Sequence, residues 1–331
     1  MNSNDQRFEQ MQDWLAGLAE LKNKSISQPV PASSDASFRR YFRIQLENKS
    51  LIIMDAPPKN ESCDAFIAVS KQLKSIGLNV PVVLSQNLKL GFLLLTDLGT
   101  QTYLSVLNEN NAEKLYSNAL ESLVILQQKA TPLGKFLPKY DQKMLIQEMS
   151  LFDDWLGKKH LNVSMNKFET LEWQNLQTIL VQSAIKQPQV YVHRDYHSRN
   201  LMYTEQNNPG ILDYQDAVIG ALTYDAVSML KDCYITWDEQ QVTEWLREYF
   251  LMLCAVNLVS KAEWQAFQKS FDLMGIQRHL KASGIFARLY HRDGKENYLD
   301  DIPATLNYLV NASKKHKETS FLTGWVEEKM Q

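Results

Sequence analysis

The stretch Val192-His193-Arg194-Asp195-Tyr196-His197-Ser198-Arg199-Asn200, followed by Gly210-Ile211-Leu212-Asp213-Tyr214-Gln215-Asp216, carries the most information in this 331-residue chain. It sets a carboxylate at 195, a side-chain amide at 200, and a second carboxylate at 213 after a short apolar run. Phosphoryl transfer from a nucleotide needs such a set: an acceptor for the substrate hydroxyl proton, and oxygen ligands for a metal that bridges the phosphates. Asp195 is therefore the candidate base, and Asn200 and Asp213 are candidate Mg²⁺ ligands. Mg²⁺ takes hard oxygen donors and keeps several waters, so one carboxylate, one amide and the phosphates suffice. Singly, each Asp has a plainer use in a turn. The spacing of all three favours the chemical reading. His193 and His197 flank Asp195, but a loop without a third strong ligand is a poor zinc site, and His193 reads as a structural residue bonding to backbone.

Composition bounds the class. Apolar residues make up 44% and charged residues 22% of the chain, as in ordinary globular proteins. A net charge of −3 offers no general attraction for nucleic acid or an anionic membrane. Cys63, Cys233 and Cys254 are few, odd in number and far apart, which argues against a disulfide framework and fits a reducing compartment. The polar first ten residues lack a signal-peptide core, and no apolar run reaches the roughly 18 residues of a membrane span. A cytoplasmic protein with no obligate protein partner is expected.

Phe8, Met11, Trp14, Leu15, Leu18 and Leu21 recur at helical spacing and predict an amphipathic opening helix. Extended runs follow at 38–46 and 51–55, with a turn at Asn48-Lys49. A helix over 64–76 is stopped by Gly77, and strands at 80–84 and 92–96 complete a small antiparallel sheet. Beyond 102 helical periodicity dominates, apart from the extended region 190–212. Helices are expected over 221–234, 239–258, 262–283 and 304–316. The fold class is α+β, with a sheet-rich unit over 1–98 and a larger, mostly helical unit over 99–331 that meet at a hinge near Gly99.

The catalytic strings resemble those of the aminoglycoside phosphotransferase-like branch of the protein-kinase-like superfamily, whose members phosphorylate small molecules. The strings Ala36-Ser37-Phe38-Arg39-Arg40-Tyr41-Phe42-Arg43, Met54-Asp55-Ala56-Pro57-Pro58, Leu94-Leu95-Thr96-Asp97-Leu98-Gly99 and Gln277-Arg278-His279-Leu280-Lys281 are similar to those of the bacterial amino-sugar anomeric kinases of cell-wall recycling. The likeness covers most of the chain, from about 33 to 298. It implies a bilobal kinase-like fold, ATP and Mg²⁺ as cofactors, and transfer to the anomeric hydroxyl of N-acetylmuramate and N-acetylglucosamine. It also places Asp225 where relatives use an acid to anchor the catalytic loop. Tyr214-Gln215 stands where protein kinases have Phe-Gly, which counts against activation-loop switching.

The nucleotide half departs from the kinase pattern. No glycine occurs in Ser33-Ser34-Asp35-Ala36-Ser37, so Ser34 and Ser37 are the candidates to present donors to phosphate. Met54 occupies the position of the usual phosphate-binding Lys, which turns attention to Arg39 and Arg40, whose guanidinium geometry suits phosphate. Leu95 and Asp97 mark the segment whose backbone would meet the adenine edge. For the acceptor, Arg278 and Lys281 are candidate partners of a carboxylate, and Glu148, Asp153, Trp155 and His197 are candidate sugar contacts. Plainer roles compete: ion pairs for the basic residues and core packing for the Trp. Two other functions stay open, a kinase for another small alcohol or an aminoglycoside, and a nucleotide-binding regulator without turnover.

Overall fold

The computed structural model describes residues 3–22, 24–33, 38–134 and 137–329. Its contacts divide the chain into two compact units, Met1–Gln101 with Met202–Gln215, and Thr102–Leu201 with Asp216–Gln331.

The first unit is built around five antiparallel strands: β1 (Val30–Ser33), β2 (Arg40–Gln45), β3 (Ser50–Asp55), β4 (Val83–Asn87) and β5 (Phe92–Thr96). Their order is β1-β2-β3-β5-β4. The sequence reading does not anticipate β1, which contains Pro31; an edge position tolerates the missing N–H. Opposed residues share a face, so the pairs Phe42↔Ile53 and Ile53↔Leu94 lie on one side, and Tyr41↔Met54 and Arg43↔Ile52 on the other. Helix α1 (Ser3–Ala16) covers the first face through Met11 and Leu15, both buried against Phe42, Ile44 and Ile53. Each such side chain contributes about 1.5–3 kcal/mol of transfer free energy. Helix α2 (Asp64–Ser75) buries Phe66, Val69 and Leu73.

Residues 202–215 belong to this unit although they lie deep in the second half of the expected organisation. Backbone pairing explains the placement. The Ile211 N–H donates to the Asn79 carbonyl at 2.7 Å and the Tyr203 N–H to the Gln101 carbonyl at 2.8 Å. The Tyr214 ring packs 5.2 Å from Phe66.

The second unit is helical: α3 (Tyr103–Val106), α4 (Ala112–Lys129), α5 (Gln142–Leu151), a π-helix (Phe152–His160) and α6 (Lys167–Lys186). Strand β6 (Gln189–Val192) pairs antiparallel with β9 (Val218–Ala221); the short strands β7 (Leu201–Met202) and β8 (Gly210–Ile211) lie between them in the chain. Then come α7 (Tyr224–Leu230), α8 (Glu239–Ala255), α9 (Trp264–Asp293), α10 (Ile302–Lys314) and α11 (Ser320–Lys329). Side-chain caps start several helices: Asp141 accepts from the Met144 N–H, and Asn166 and Glu169 form a capping box. Helix α9 runs past the expected end at 283 and stops where Gly294 turns left-handed at φ 67°. Helix α7 is shorter than expected because Asp232 turns the chain, accepting from the Tyr234 N–H at 3.1 Å. Among the described residues no helix is long and apolar enough to cross a membrane.

Candidate active site

Strand β6 delivers the chain into the loop 193–200, and the loop is held by carboxylates from outside it. Asp225, fully buried in the first turn of α7, accepts from the His193 N–H at 2.6 Å and the Arg194 N–H at 3.0 Å. Asp232, seven residues further on, accepts from the Ser198 N–H at 2.9 Å. The Ser198 carbonyl takes the Leu104 N–H at 3.0 Å, and the Tyr196 hydroxyl donates to the Ala119 carbonyl at 2.8 Å. Arg194 stands at φ 76°, a conformation that costs a non-glycine residue about 1–3 kcal/mol unless its surroundings impose it. Here they do: its guanidinium pairs with Glu148 and reaches the Asp216 carbonyl at 3.3 Å. His193, also buried, accepts from the Asp195 N–H at 3.3 Å.

Asp195 therefore sits on a loop fixed at several points. Burial opposes its ionisation, but the charges of Lys281, His197, Arg194 and His193 outweigh burial and hold its carboxyl below the usual range. Burial likewise pushes the His197 pKa down, so the permanent cations facing Asp195 are Lys281 and Arg194. An ionised carboxylate is the form that accepts a proton. Glu148 binds this cluster together: 8% exposed, it takes Arg194, the Tyr140 hydroxyl, and Lys281 at 3.3 Å, while Lys281 also donates to the Tyr224 hydroxyl at 3.0 Å. Its carboxyl also lies below the usual range; burial opposes this and the charges of Lys281 and Arg194 prevail.

Asn200 donates its amide Nδ2 to the Asp195 carbonyl at 3.1 Å, which turns its Oδ1 away from that carbonyl. In the first unit, Asp213 adopts φ 62°, which a short polar side chain tolerates, and its Oδ1 accepts from Gln215 at 2.5 Å. An amide oxygen and a carboxylate are the hard donors Mg²⁺ selects, so these residues fit that ion chemically.

The remaining predicted residues divide by partner. Glu148, Lys281 and His197 gather around Asp195. Arg278 lies nearby, but it is 6% exposed, with its guanidinium 3.6 Å from the Cys233 sulfur. Asp153 and Trp155 contact lysines of their own π-helix: Asp153 pairs with Lys158 at 2.6 Å, and Lys159 sits 4.9 Å from the Trp155 ring. Arg39, one residue before β2, pairs with Glu61 at 2.8 Å. Arg40 differs from Arg39 by one step of strand parity. Its guanidinium joins that of Arg7 on the fully buried Asp55, on the face that α1 covers. Leu95 is buried in β5, and Asp97 holds Arg43 and accepts from the Gly99 N–H at 2.9 Å, the role of a clamp on the strand end. Ser34 and Ser37 lie outside the described residues. Sequence reasoning did not single out Asp232, Tyr234 or Arg199. The seven-residue spacing of Asp225 and Asp232 was the available signal.

A family model described as phosphotransferase enzyme family matches residues 29–266. The N-acetylmuramate/N-acetylglucosamine kinase of Pseudomonas aeruginosa is 43% identical over 327 residues, covering 97% of this chain and 96% of the relative. The kinases of the same name from Pseudomonas putida and Neisseria meningitidis are 42% and 38% identical, covering 99% and 95% of this chain and 98% and 93% of their own lengths. Among solved structures, a choline kinase from Cryptosporidium parvum aligns with a TM-score of 0.66 at 11% identity, over 95% of this chain and 97% of its own. An ADP-bound aminoglycoside phosphotransferase aligns at 0.59 and 14%, over 93% and 98%. At those identities the likeness is one of fold.

Proposed function

This chain belongs to the phosphotransferase enzyme family and is a kinase, and from that premise we propose that it transfers the γ-phosphoryl group of ATP, with Mg²⁺, to the anomeric hydroxyl of N-acetylmuramate and of N-acetylglucosamine. The observation that carries the reading is end-to-end similarity, at 38–43% identity, to kinases of that name in three bacteria. The product is the sugar 1-phosphate, and the setting is cytoplasmic recycling of the cell wall.

Asp195 is the base. It orients the anomeric hydroxyl and takes its proton as the oxygen attacks phosphorus. An anomeric hydroxyl is more acidic than the other sugar hydroxyls, so a carboxylate held ionised by Lys281 and Arg194 is adequate. Asn200 and Asp213 are the residues that would hold Mg²⁺, which supplies charge neutralisation on the phosphates when bound. Arg39 takes the place of the absent lysine. It shares the strand parity of Met54 and is paired with the acid Glu61, as a phosphate-binding cation is steered by a carboxylate in other kinases. The backbone at Leu95–Asp97 receives the adenine. Glu148 positions Arg194 and Lys281.

The test is turnover of purified protein with Mg·ATP and a panel of sugars, reading ADP release and the position of the phosphate by phosphorus NMR. The expected product carries phosphate on the anomeric carbon, and Asp195→Asn is expected to lose at least about a hundredfold in kcat, the scale of general-base catalysis. ATP binding without turnover of any sugar would instead favour the regulator.

A further inference from the structure

This inference rests on the proposed reading and concerns how one site serves both sugars. N-acetylmuramate differs from N-acetylglucosamine only by a lactyl ether on O3, which ends in a carboxylate. A site that serves both must offer that carboxylate a cation which the neutral sugar leaves unused. The two cations that sequence suggests are engaged elsewhere. Lys281 is 8% exposed and held by Glu148 and the Tyr224 hydroxyl, and Arg278 is 6% exposed against Cys233.

Arg199 meets the requirement. It follows Ser198, whose backbone is fixed at both ends, and precedes Asn200, so it rides on the same rigid loop as the base. Its guanidinium carbon lies 3.6 Å from the centre of the Tyr234 ring and 6.0 Å from that of Tyr298. Stacking of this kind occupies the face of a guanidinium and leaves its N–H edge for a planar, bidentate partner. The neighbouring acid, Asp301, is 3.9 Å away, too far for a hydrogen bond, and the Arg199 side chain is 38% exposed. On the same Tyr234 ring, the imidazole of half-buried His197 packs edge-on at 5.3 Å, and its buried Nδ1 has no hydrogen-bond partner among the described residues. Buried polar atoms are rarely left so without a ligand or water to serve. Tyr298 continues the surface, stacked 5.7 Å from Phe286.

We infer that Arg199, stacked on Tyr234, is the specificity-determining residue that receives the lactyl carboxylate of N-acetylmuramate. A neutral sugar binds the same surface without using that edge.

The experiment measures kcat/KM for both sugars with wild type, Arg199→Gln and Arg199→Lys, each checked for folding by thermal melting. The readout is the ratio of the two values, which cancels any general damage to the catalytic loop. The expected result is a fall of about tenfold or more in the muramate-to-glucosamine ratio for Arg199→Gln, the scale of a lost charge-assisted hydrogen bond, with part of the preference retained by Arg199→Lys. If Arg199→Gln does not fold, the Arg199→Lys ratio and the salt dependence of wild type decide, because only the KM for the charged sugar should rise with ionic strength. Equal losses for both sugars, or an unchanged ratio, overturn the assignment. Wild-type protein inert on both sugars would overturn the functional reading and this inference together.

Discussion

Replacing Asp225 by alanine removes the acceptor of two backbone N–H groups, those of His193 at 2.6 Å and Arg194 at 3.0 Å, in a place with no solvent access. A buried donor left unsatisfied costs about 1–3 kcal/mol, so the pair sets a loss of about 2–6 kcal/mol. Asp225→Asn keeps one carbonyl oxygen but turns an NH₂ toward the other N–H, which predicts about half that loss. The same bonds hold the left-handed Arg194 and hence Asp195 beside it, so kcat should fall at least about tenfold in Asp225→Ala, equivalent to about 1.4 kcal/mol, with little change in either KM. Urea unfolding and steady-state kinetics on the same preparations test both parts. Wild-type midpoint and wild-type kcat in the alanine variant would refute the claim that this carboxylate positions the loop. Its titration gives an independent check. Burial pushes the Asp225 pKa up to about 7, against the two N–H bonds and with help from the charge of Asp195. The native protein then keeps this proton where the unfolded chain, near the ordinary carboxylate value, releases it. That contribution to stability is whole below about pH 4 and is lost as pH rises through about 7. Over that window wild type should lose up to about 1.4 kcal/mol per pH unit relative to Asp225→Asn. Parallel stability curves would show that the group is ionised throughout.

Arg39→Ala should raise the KM for ATP about tenfold or more while leaving the KM for sugar near wild type, as expected for loss of a charge-assisted phosphate contact; an unchanged KM for ATP in initial-rate measurements would remove Arg39 from the nucleotide site. Gly284→Ala places a methyl 2.3 Å from the Leu151 carbonyl carbon and 2.6 Å from the Phe152 nitrogen, backbone atoms that cannot rotate away. It should cost about 3 kcal/mol or more in urea unfolding, and a wild-type midpoint would mean that α9 and the α5 junction are not in such close contact.

The candidate catalytic loop could be read from sequence because its signal is local: Asp195, Asn200 and Asp213 belong to turns whose chemistry is written within a few residues. The sheet and the leading helix were legible through periodicity. Side-chain direction was harder. Arg39 and Arg40 are adjacent, and a single step of strand parity sends one to Glu61 and the other to Asp55 beneath α1. Glu148 lies in α5, whereas Asp153 and Trp155 lie beyond Phe152, where the chain changes from α to π winding, so α spacing does not relate their directions. Asp232, Tyr234 and Arg199 escaped because their partners come from sequence-distant elements: Ser198 for Asp232, and Tyr298 and Asp301 for Arg199. Asp225 and Asp232 alone left a trace, in their seven-residue spacing.

The return of residues 202–215 to the unit of the first hundred residues has a practical side. Chimeras that exchange only the amino-terminal third between relatives would set a foreign sheet against a native ribbon, at the Asn79 and Phe66 contacts that hold it. Grafts that carry both pieces keep those seams matched, so the heritable module here is discontinuous in the gene even though it is one body in space.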